Sequence, residues 1–272
     1  MLTLIKLGGS VITDKRGTEQ ADDATIAALA AELVAARAAQ PTLQLVLGHG
    51  SGSFGHVYAR RFGVHTGIAA DGDWMGFALT AAAAQRLNRV VVDALLNAGL
   101  PAFSIQLSAS ARSMGGQLTS WAAETVDLAL AHRMLPVVYG DVAFDVQQGS
   151  AICSTEQILA SLARRHVGPC RVVLVGEAGV FTADPHRDPM ARLIPRIDRH
   201  SITAVLAGAG ASHGVDVTGG MRGKLEAMWS LVSSLPDLTV RLIGPQPGVL
   251  RDVLLDDRAG HGTTICREFC DA

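Results

Sequence analysis

Three glycine-rich segments in this sequence combine flexible backbone with a cationic side chain. Successive backbone N–H groups at a glycine turn can cradle an anion, and a nearby lysine or histidine adds positive charge. In the first segment Lys6 adds a positive charge close to the place where an anion would bind. In the third, a helix beginning near Gly219 would bring Lys224 back over its own N-terminus. The segments are KLGGSVITDK (6–15), GHGSGSFGH (48–56) and DVTGGMRGK (216–224).

Taken singly, each segment also has a plain structural explanation: a strand-to-helix turn with a solvated lysine, a helix-start histidine bonded to local backbone, or a capped surface helix. No segment matches GxxxxGK[ST] or the dinucleotide pattern GxGxxG. The first two follow consecutive strands, and loops after parallel strands emerge at the same sheet edge. Two such loops can hold two phosphoryl groups, so the coincidence favours a phosphate site.

Acidic and polar residues follow other strands. Asp141 ends a buried-looking strand, so we expect its carboxylate at the same edge as the glycine loops. Ser154 and Gln157 have the spacing of a helix capping box. Asp184 precedes a proline in VFTADP, which is equally typical of an ordinary turn.

The elements that must position these residues alternate between strand and helix. This alternation predicts parallel strands with right-handed crossovers and helices on both faces of the sheet. Residues 141–153 differ, because two β-type runs flank QQGS and predict a projecting hairpin that could cover a pocket. The predicted strands are 2–8, 43–49, 101–107, 135–141, 171–176 and 238–244, and the predicted helices are 22–39, 74–98, 120–133, 155–166, 199–207 and 220–234.

Composition narrows the class of protein. The 272-residue chain is 49% hydrophobic with a formal net charge of −2 and no basic run, which argues against nucleic-acid binding. The four cysteines form no CxxC or His/Cys cluster, so no metal site is predicted. No secretory signal or membrane-length apolar run is present, so we expect a cytoplasmic protein without a membrane partner. With no Pro/Ser-rich linker, we expect one domain with two lobes that meet near 168–170.

Taken in order, the motifs resemble the amino acid kinase superfamily and, within it, the isopentenyl phosphate kinase family. The matching segments run collinearly through nearly the whole chain, and the histidine that ends SFGH resembles kinases whose acceptor already carries a phosphate or phosphonate. The segments are KLGGSVITDK (6–15), HGSGSFGH (49–56), GFALT (76–80), PVVYGDV (136–142), VFTADP (180–185) and DVTGGMRGK (216–224).

This resemblance implies a three-layer αβα sandwich with a mostly parallel central sheet, an acceptor lobe over residues 1–168 and a nucleotide lobe over 169–272. It implies phosphorylation of isopentenyl phosphate by ATP with Mg²⁺ held mainly by phosphates, in a homodimer. The long alanine-rich helix 74–98 is one candidate for the dimer contact. Two alternatives stay open: a phosphonate kinase of the fosfomycin-resistance type, and a nucleotide-sensing module without turnover.

The resemblance also assigns roles to individual residues. Lys6, Lys15 and His56 would be catalytic, with Lys15 stabilising the transition state and His56 holding the acceptor phosphate. The ATP-binding set is Lys6, Gly8, Gly9, Ser10, Gly52, Glu177, Asp184, Gly220 and Lys224. The acceptor-binding set is Ser51, Gly52, His56, Phe77, Gly140, Asp141 and Thr155.

Two motifs depart from the family pattern, and the apolar tail of the acceptor has no assigned contact. Relatives carry SGDQ where this chain has STEQ, so Thr155 replaces a glycine and Glu156 replaces an aspartate that organises the lysines. On the nucleotide side a DGV pattern becomes residues 178–180, AGV, with Glu177 as the nearest acid. The apolar tail of the acceptor needs a pocket, for which the candidates are Phe77, Leu79, Ile105 and Ile152.

Overall fold

The computed structural model describes residues 1–14, 17–69, 71–185, 187–209 and 220–268. The strands are β1 (Leu2–Leu7), β2 (Gln44–His49), β3 (Ala102–Ser104), β4 (Arg112–Met114), β5 (Gln117–Ser120), β6 (Leu135–Tyr139), β7 (Asp141–Asp145), β8 (Gly149–Cys153), β9 (Cys170–Val175), β10 (Val180–Phe181), β11 (Leu193–Ile194), β12 (Arg196–Ile197), β13 (Thr239–Ile243) and β14 (Thr263–Ile265). The helices are α1 (Gly9–Ile12), α2 (Asp23–Ala39), α3 (Gly52–Arg61), α4 (Met75–Asn97), α5 (Glu124–Ala131), α6 (Thr155–Arg165), α7 (Ile202–Ala209), α8 (Gly220–Ser234) and α9 (Val249–Leu255). None of these described helices is long and apolar enough to cross a bilayer.

Eight strands form the central sheet, in the order β12-β14-β13-β9-β1-β2-β6-β3. Every neighbouring pair is parallel except β13 and β14. The carboxyl ends of β1, β2, β6 and β9 therefore share one edge, which is where ligands of open α/β sheets bind. The predicted α/β fold with a mostly parallel sheet is confirmed.

Both faces of this sheet are covered, which explains why its strands are apolar at successive positions. On β9, Val172 and Leu174 pack in the core that contains residues of α5, α6 and α8. Val173 and Val175 pack in the opposite core, with residues of α2, α4 and α9. The layers are therefore helix, sheet and helix, with one hydrophobic core on each face of the sheet.

The hairpin predicted for residues 141–153 is present as antiparallel strands β7 and β8, part of a second sheet ordered β5-β4-β7-β8. Asp145 braces its turn by accepting backbone hydrogen bonds from Gly115, Gly116, Gln147 and Gln148 at 2.8 to 3.1 Å. Burial tends to raise the pKa of this carboxyl, but the four N–H donors hold it below its usual value. The hairpin is thus a firmly held projection from the sheet.

Candidate active site

The two glycine-rich loops touch at the carboxyl edge of the sheet. Leu7 on β1 lies beside His49 on β2, and the Gly50 N–H donates to the Leu7 carbonyl at 3.0 Å. A Cβ atom on Gly9 would lie 2.5 Å from the Gly52 nitrogen, so no side chain fits at the contact. Gly52 also has a φ of +47°, in the left-handed region that favours glycine. The expected side-by-side arrangement of the loops is present.

Each loop opens a helix at this edge. Gly8 precedes α1 and Ser51 precedes α3, and neither helix start has a side-chain cap. The first N–H groups of a helix have no acceptor within that helix, and they lie at the positive end of its dipole. The starts of α1 and α3 therefore leave the N–H groups of Gly9, Ser10 and Gly52 at an edge where an anion could accept hydrogen bonds from them.

Thr13, which sequence reasoning missed, ties the two loops together. Its hydroxyl donates to the Gly9 carbonyl at 2.7 Å and accepts from the Ser53 N–H at 3.1 Å. A threonine bonded to the carbonyl four residues earlier is common in helices. The sequence therefore carried no sign that its second partner would come from the other glycine loop.

Lys6 supplies a cation two residues before the first glycine loop, and Glu156 holds it. Lys6 Nζ forms an ion pair with Glu156 Oε1 in the first turn of α6, with side chains 14% and 25% exposed respectively. A carboxylate at that end of a helix is also stabilised by the helix dipole. The longer carboxylate of Glu156 thus reaches the lysine and fixes its position.

Thr155 and Asp141 both lie at this edge but use their side chains on the protein itself. The Thr155 hydroxyl donates to the His49 carbonyl at 2.7 Å, and the Gly140 N–H donates to the same oxygen at 3.0 Å. Asp141 accepts from the Ser108 N–H at 3.0 Å. Burial raises the pKa of the Asp141 carboxyl, and the hydrogen bonds that it accepts oppose that rise. Direct contact of these residues with an acceptor stays a prediction.

His56 lies on the exposed side of α3, four residues after Gly52. Helical side chains lean toward the N-terminus of their helix, so the imidazole leans toward the glycine loops. Gly55 beside it has no room for a side chain, because a Cβ atom there would lie 2.6 Å from Ser51 Oγ.

An aromatic cluster lies where the first turn of α4 meets the β7–β8 hairpin. The rings of Phe77 and Phe144 stack with centroids 4.8 Å apart, and Trp74 lies 5.7 Å from Phe77 and 5.8 Å from Phe144. Phe77 and Ile152 also pack against one small buried core. These two candidates for an apolar pocket therefore come together. Ile105 instead packs in the core beneath α5 and α6 and is 7% exposed.

The other residues predicted for the nucleotide lie beyond β9, on two loops and on α8. Glu177 is exposed just after β9. Asp184 follows β10, and its Oδ2 lies 3.7 Å from Arg187 Nε. Lys224 is half-buried on α8, four residues after Gly220 at the helix start. Lys15 and residues 216–219 lie outside the described residues, so their predicted roles are not tested.

Among the residues that the structure describes, no three His, Cys, Asp or Glu side chains come together as a metal site.

The sequence and fold of this chain are similar to those of known kinases. The sequence profile of the amino acid kinase family matches residues 1–241. Isopentenyl phosphate kinase of Methanothermobacter thermautotrophicus is 34% identical, over 97% of this chain and 98% of the relative. That of Haloferax volcanii is 35% identical, over 92% and 98%. A solved isopentenyl phosphate kinase structure superposes with a TM-score of 0.80 at 31% identity, covering 97% of this chain and all of the other. The chain belongs to the isopentenyl phosphate kinase family.

Thr155 and Glu156, two of the departures noted in the sequence, each contact a neighbouring residue at this edge. A Cβ atom on Gly48 would lie 2.5 Å from Thr155 Cγ2, so the threonine methyl occupies the space that Gly48 leaves. Glu156 keeps its charge against Lys6. Thr155 therefore fills the space beside Gly48, and Glu156 holds the lysine next to the glycine loops.

Proposed function

We propose that this protein transfers the γ-phosphoryl group of ATP to isopentenyl phosphate, giving isopentenyl diphosphate and ADP. The observation that carries the proposal is the backbone contact between the two glycine loops beside Lys6. Such an edge holds two phosphoryl groups next to each other, as a phosphate-to-phosphate transfer needs. The family membership supplies the acceptor.

The chemistry suits residues that align and neutralise charge. The attacking oxygen belongs to a phosphate monoester that is ionised near neutral pH, so no strong general base is required. The bond from the γ-phosphorus to the bridging oxygen of ATP breaks as the bond to the acceptor oxygen forms. Lys6, the N–H groups of Gly9 and Ser10 and, from the sequence alone, Lys15 would stabilise the charge on the phosphoryl oxygens. Mg²⁺ carried by the nucleotide would neutralise further charge, with phosphate oxygens as its main ligands.

On this proposal residues 1–168 bind the acceptor and residues 169–272 bind the nucleotide. His56 would donate a charge-assisted hydrogen bond to the acceptor phosphate, together with Ser51 and Gly52. The loops after β6 and β8 would complete the acceptor side, and Lys224 would reach the ATP phosphates from the first turns of α8. Glu177 and Asp184 would lie near the nucleoside.

The aromatic cluster of Trp74, Phe77 and Phe144 is the proposed contact for the apolar tail. Phe144 is 46% exposed although it is aromatic, and Phe77 beneath it is half-buried. An isoprenoid tail that covered these rings would remove apolar surface from water, which favours binding by about 25 cal/mol per Å². The tail, unlike the phosphate, would be recognised by side chains alone.

Incubation with Mg-ATP and isopentenyl phosphate tests the proposal, with the diphosphate detected by phosphorus NMR. We expect stoichiometric diphosphate and ADP. Isopentenol is the matched control, and we expect no phosphorylation of it, because it lacks the phosphate that His56 and the loop N–H groups would hold. Phosphorylation of fosfomycin without that of isopentenyl phosphate would favour a phosphonate kinase. ATP binding without turnover of either acceptor would favour a sensing module.

We also propose a homodimer, formed through the edge of the sheet. Strand β3 ends the sheet and pairs on one side with β6. Large apolar side chains on and near it are exposed: Leu96 at 47%, Phe103 at 41% and Leu128 at 64%. An edge strand flanked by such residues is suited to pairing with a second copy.

Sedimentation velocity should give twice the 28.4 kDa chain mass for the wild-type protein and the chain mass for Phe103→Asp. The matched control is Val167→Asp, since Val167 is 95% exposed and lies after α6, away from this edge. A monomeric wild type, or equal dissociation of both variants, would contradict the proposed interface.

A further inference from the structure

A chain of three buried or partly buried polar side chains lies directly behind the second glycine loop. Ser104, at the end of β3, donates its hydroxyl to Asn88 Oδ1 at 2.5 Å. Asn88 Nδ2 contacts His49 Nε2 at 3.1 Å, and His49 Nδ1 contacts the Gly50 carbonyl at 3.1 Å. His49 is fully buried and Asn88 is 4% exposed. Polar side chains buried in this way lower stability unless each is hydrogen-bonded, and here each of the three has a hydrogen-bond partner.

The donors and acceptors of this chain can be assigned in one way. The Gly50 carbonyl only accepts, so His49 must carry a proton on Nδ1. Burial lowers the pKa of His49 to about 4, so near pH 7 the ring is neutral and Nε2 accepts. Asn88 therefore turns its NH₂ group to His49 and its oxygen to Ser104. The ring is further fixed by stacking on Tyr139, with centroids 5.6 Å apart.

The bond to Gly50 fixes one peptide plane of the phosphate loop. The Gly50 carbonyl and the Ser51 N–H belong to the same planar trans peptide and point in opposite directions. Because the carbonyl is held toward the buried imidazole, the Ser51 N–H points away from it. No acceptor for that N–H lies within the part of the chain that the structure describes.

We propose that His49, Asn88 and Ser104 are positioning residues, which hold the Gly50–Ser51 peptide so that the Ser51 N–H donates to a phosphoryl oxygen. The inference rests on the proposed phosphoryl transfer, because a phosphate is the group that this N–H would meet. The three side chains act through the loop and touch no substrate themselves.

Asn88→Leu is the kinetic test, since leucine has a similar size and makes neither hydrogen bond. We expect kcat to fall about 10- to 100-fold, somewhat less than the loss of an entire oxyanion donor, with KM for ATP nearly unchanged. Thr80→Val is the matched control: Thr80 is a buried polar residue on the same helix, and its hydroxyl donates to the Gly76 carbonyl. It should leave kcat within about twofold. Equal losses in both variants would show that any disturbance of α4 slows the enzyme and would overturn the proposal.

Nitrogen-15 NMR gives a readout that needs no turnover. His49 should show a protonated Nδ1 and an unprotonated Nε2 at pH 7. The Ser51 amide proton should shift downfield when isopentenyl phosphate or inorganic pyrophosphate is added to the wild type, and should shift much less in Asn88→Leu. A protonated Nε2, or an unchanged Ser51 response in the variant, would overturn the proposal.

Two further comparisons separate the possible failures. If Asn88→Leu does not fold, Ser104→Ala removes only the outermost donor, and its matched control is Ser113→Ala, a buried hydroxyl near Cys153. Ser104→Ala should still weaken the Ser51 shift, whereas Ser113→Ala should not. If the wild type fails to phosphorylate isopentenyl phosphate, the proposed function is wrong, while the Ser51 measurement with pyrophosphate still decides the positioning role.

Discussion

His56→Ala should lower kcat/KM for the phosphorylated acceptor by about 10- to 150-fold, the loss expected from one hydrogen bond to a charged group. The dissociation constant of ATP should change less than about twofold, because the role proposed for His56 is to hold the acceptor phosphate, whereas the nucleotide is proposed to bind through other residues, among them Glu177, Asp184 and Lys224. Steady-state kinetics with varied acceptor, together with calorimetric titration of ATP, measure the two effects.

Arg60→Ala is the matched control for this change. Arg60 lies four residues after His56 on the same helix and is also exposed, so it tests for a general effect of cation loss from α3. It should leave kcat/KM within about twofold, since isolated surface charges contribute little. An equal loss of ATP and acceptor binding in His56→Ala would show that the role given to His56 is wrong.

Lys6→Met should lower kcat by about 100- to 1000-fold, as the removal of a donor from a charged transition state does. The side chain is 14% exposed and anchored by Glu156, so its ammonium group loses little freedom when the phosphoryl group arrives. Single-turnover kinetics at saturating ATP would isolate this step from product release.

Glu156→Gln distinguishes the role of the Lys6 charge from that of the carboxylate that holds it. It keeps Lys6 but removes the opposing charge, so we expect a smaller fall in kcat of about tenfold, from a less fixed lysine. Glu156→Asp tests the departure at this position directly, and it should retain most of the activity if the shorter carboxylate still reaches. A loss in Glu156→Gln as large as that in Lys6→Met would place Glu156 in the chemical step itself.

The fold was predictable from sequence because several of its strands are short apolar runs followed by glycine or an acidic residue, and helical stretches separate them. The two glycine loops were predictable for the same reason, since parallel strands deliver their following loops to one edge. Lys6 could be predicted as a site residue because it lies two residues before the first glycine pair. The hairpin could be predicted because QQGS lies between two β-type runs.

The rest depended on contacts between distant parts of the chain. Asn88 is one amide in an alanine-rich helix, and its partner His49 is 39 residues away. Phe144 alternates with buried residues on β7, so its pairing with Trp74 and Phe77 needed the packing of the hairpin on α4. Ile105 was misplaced because β3 ends at Ser104, and the next side chain turns into the core.

The contact between Gly9 and Gly52 has a consequence for how a family like this one can diversify. Where main chain meets main chain, as at Gly9 and Gly52, a side chain has no room, so the loops proposed to bind phosphate tolerate little change there. The proposed tail contact is built from side chains of α4 and the hairpin, and each could be exchanged without moving the loops. New acceptors can therefore arise by single amino-acid changes at the aromatic cluster, while the transfer chemistry is preserved.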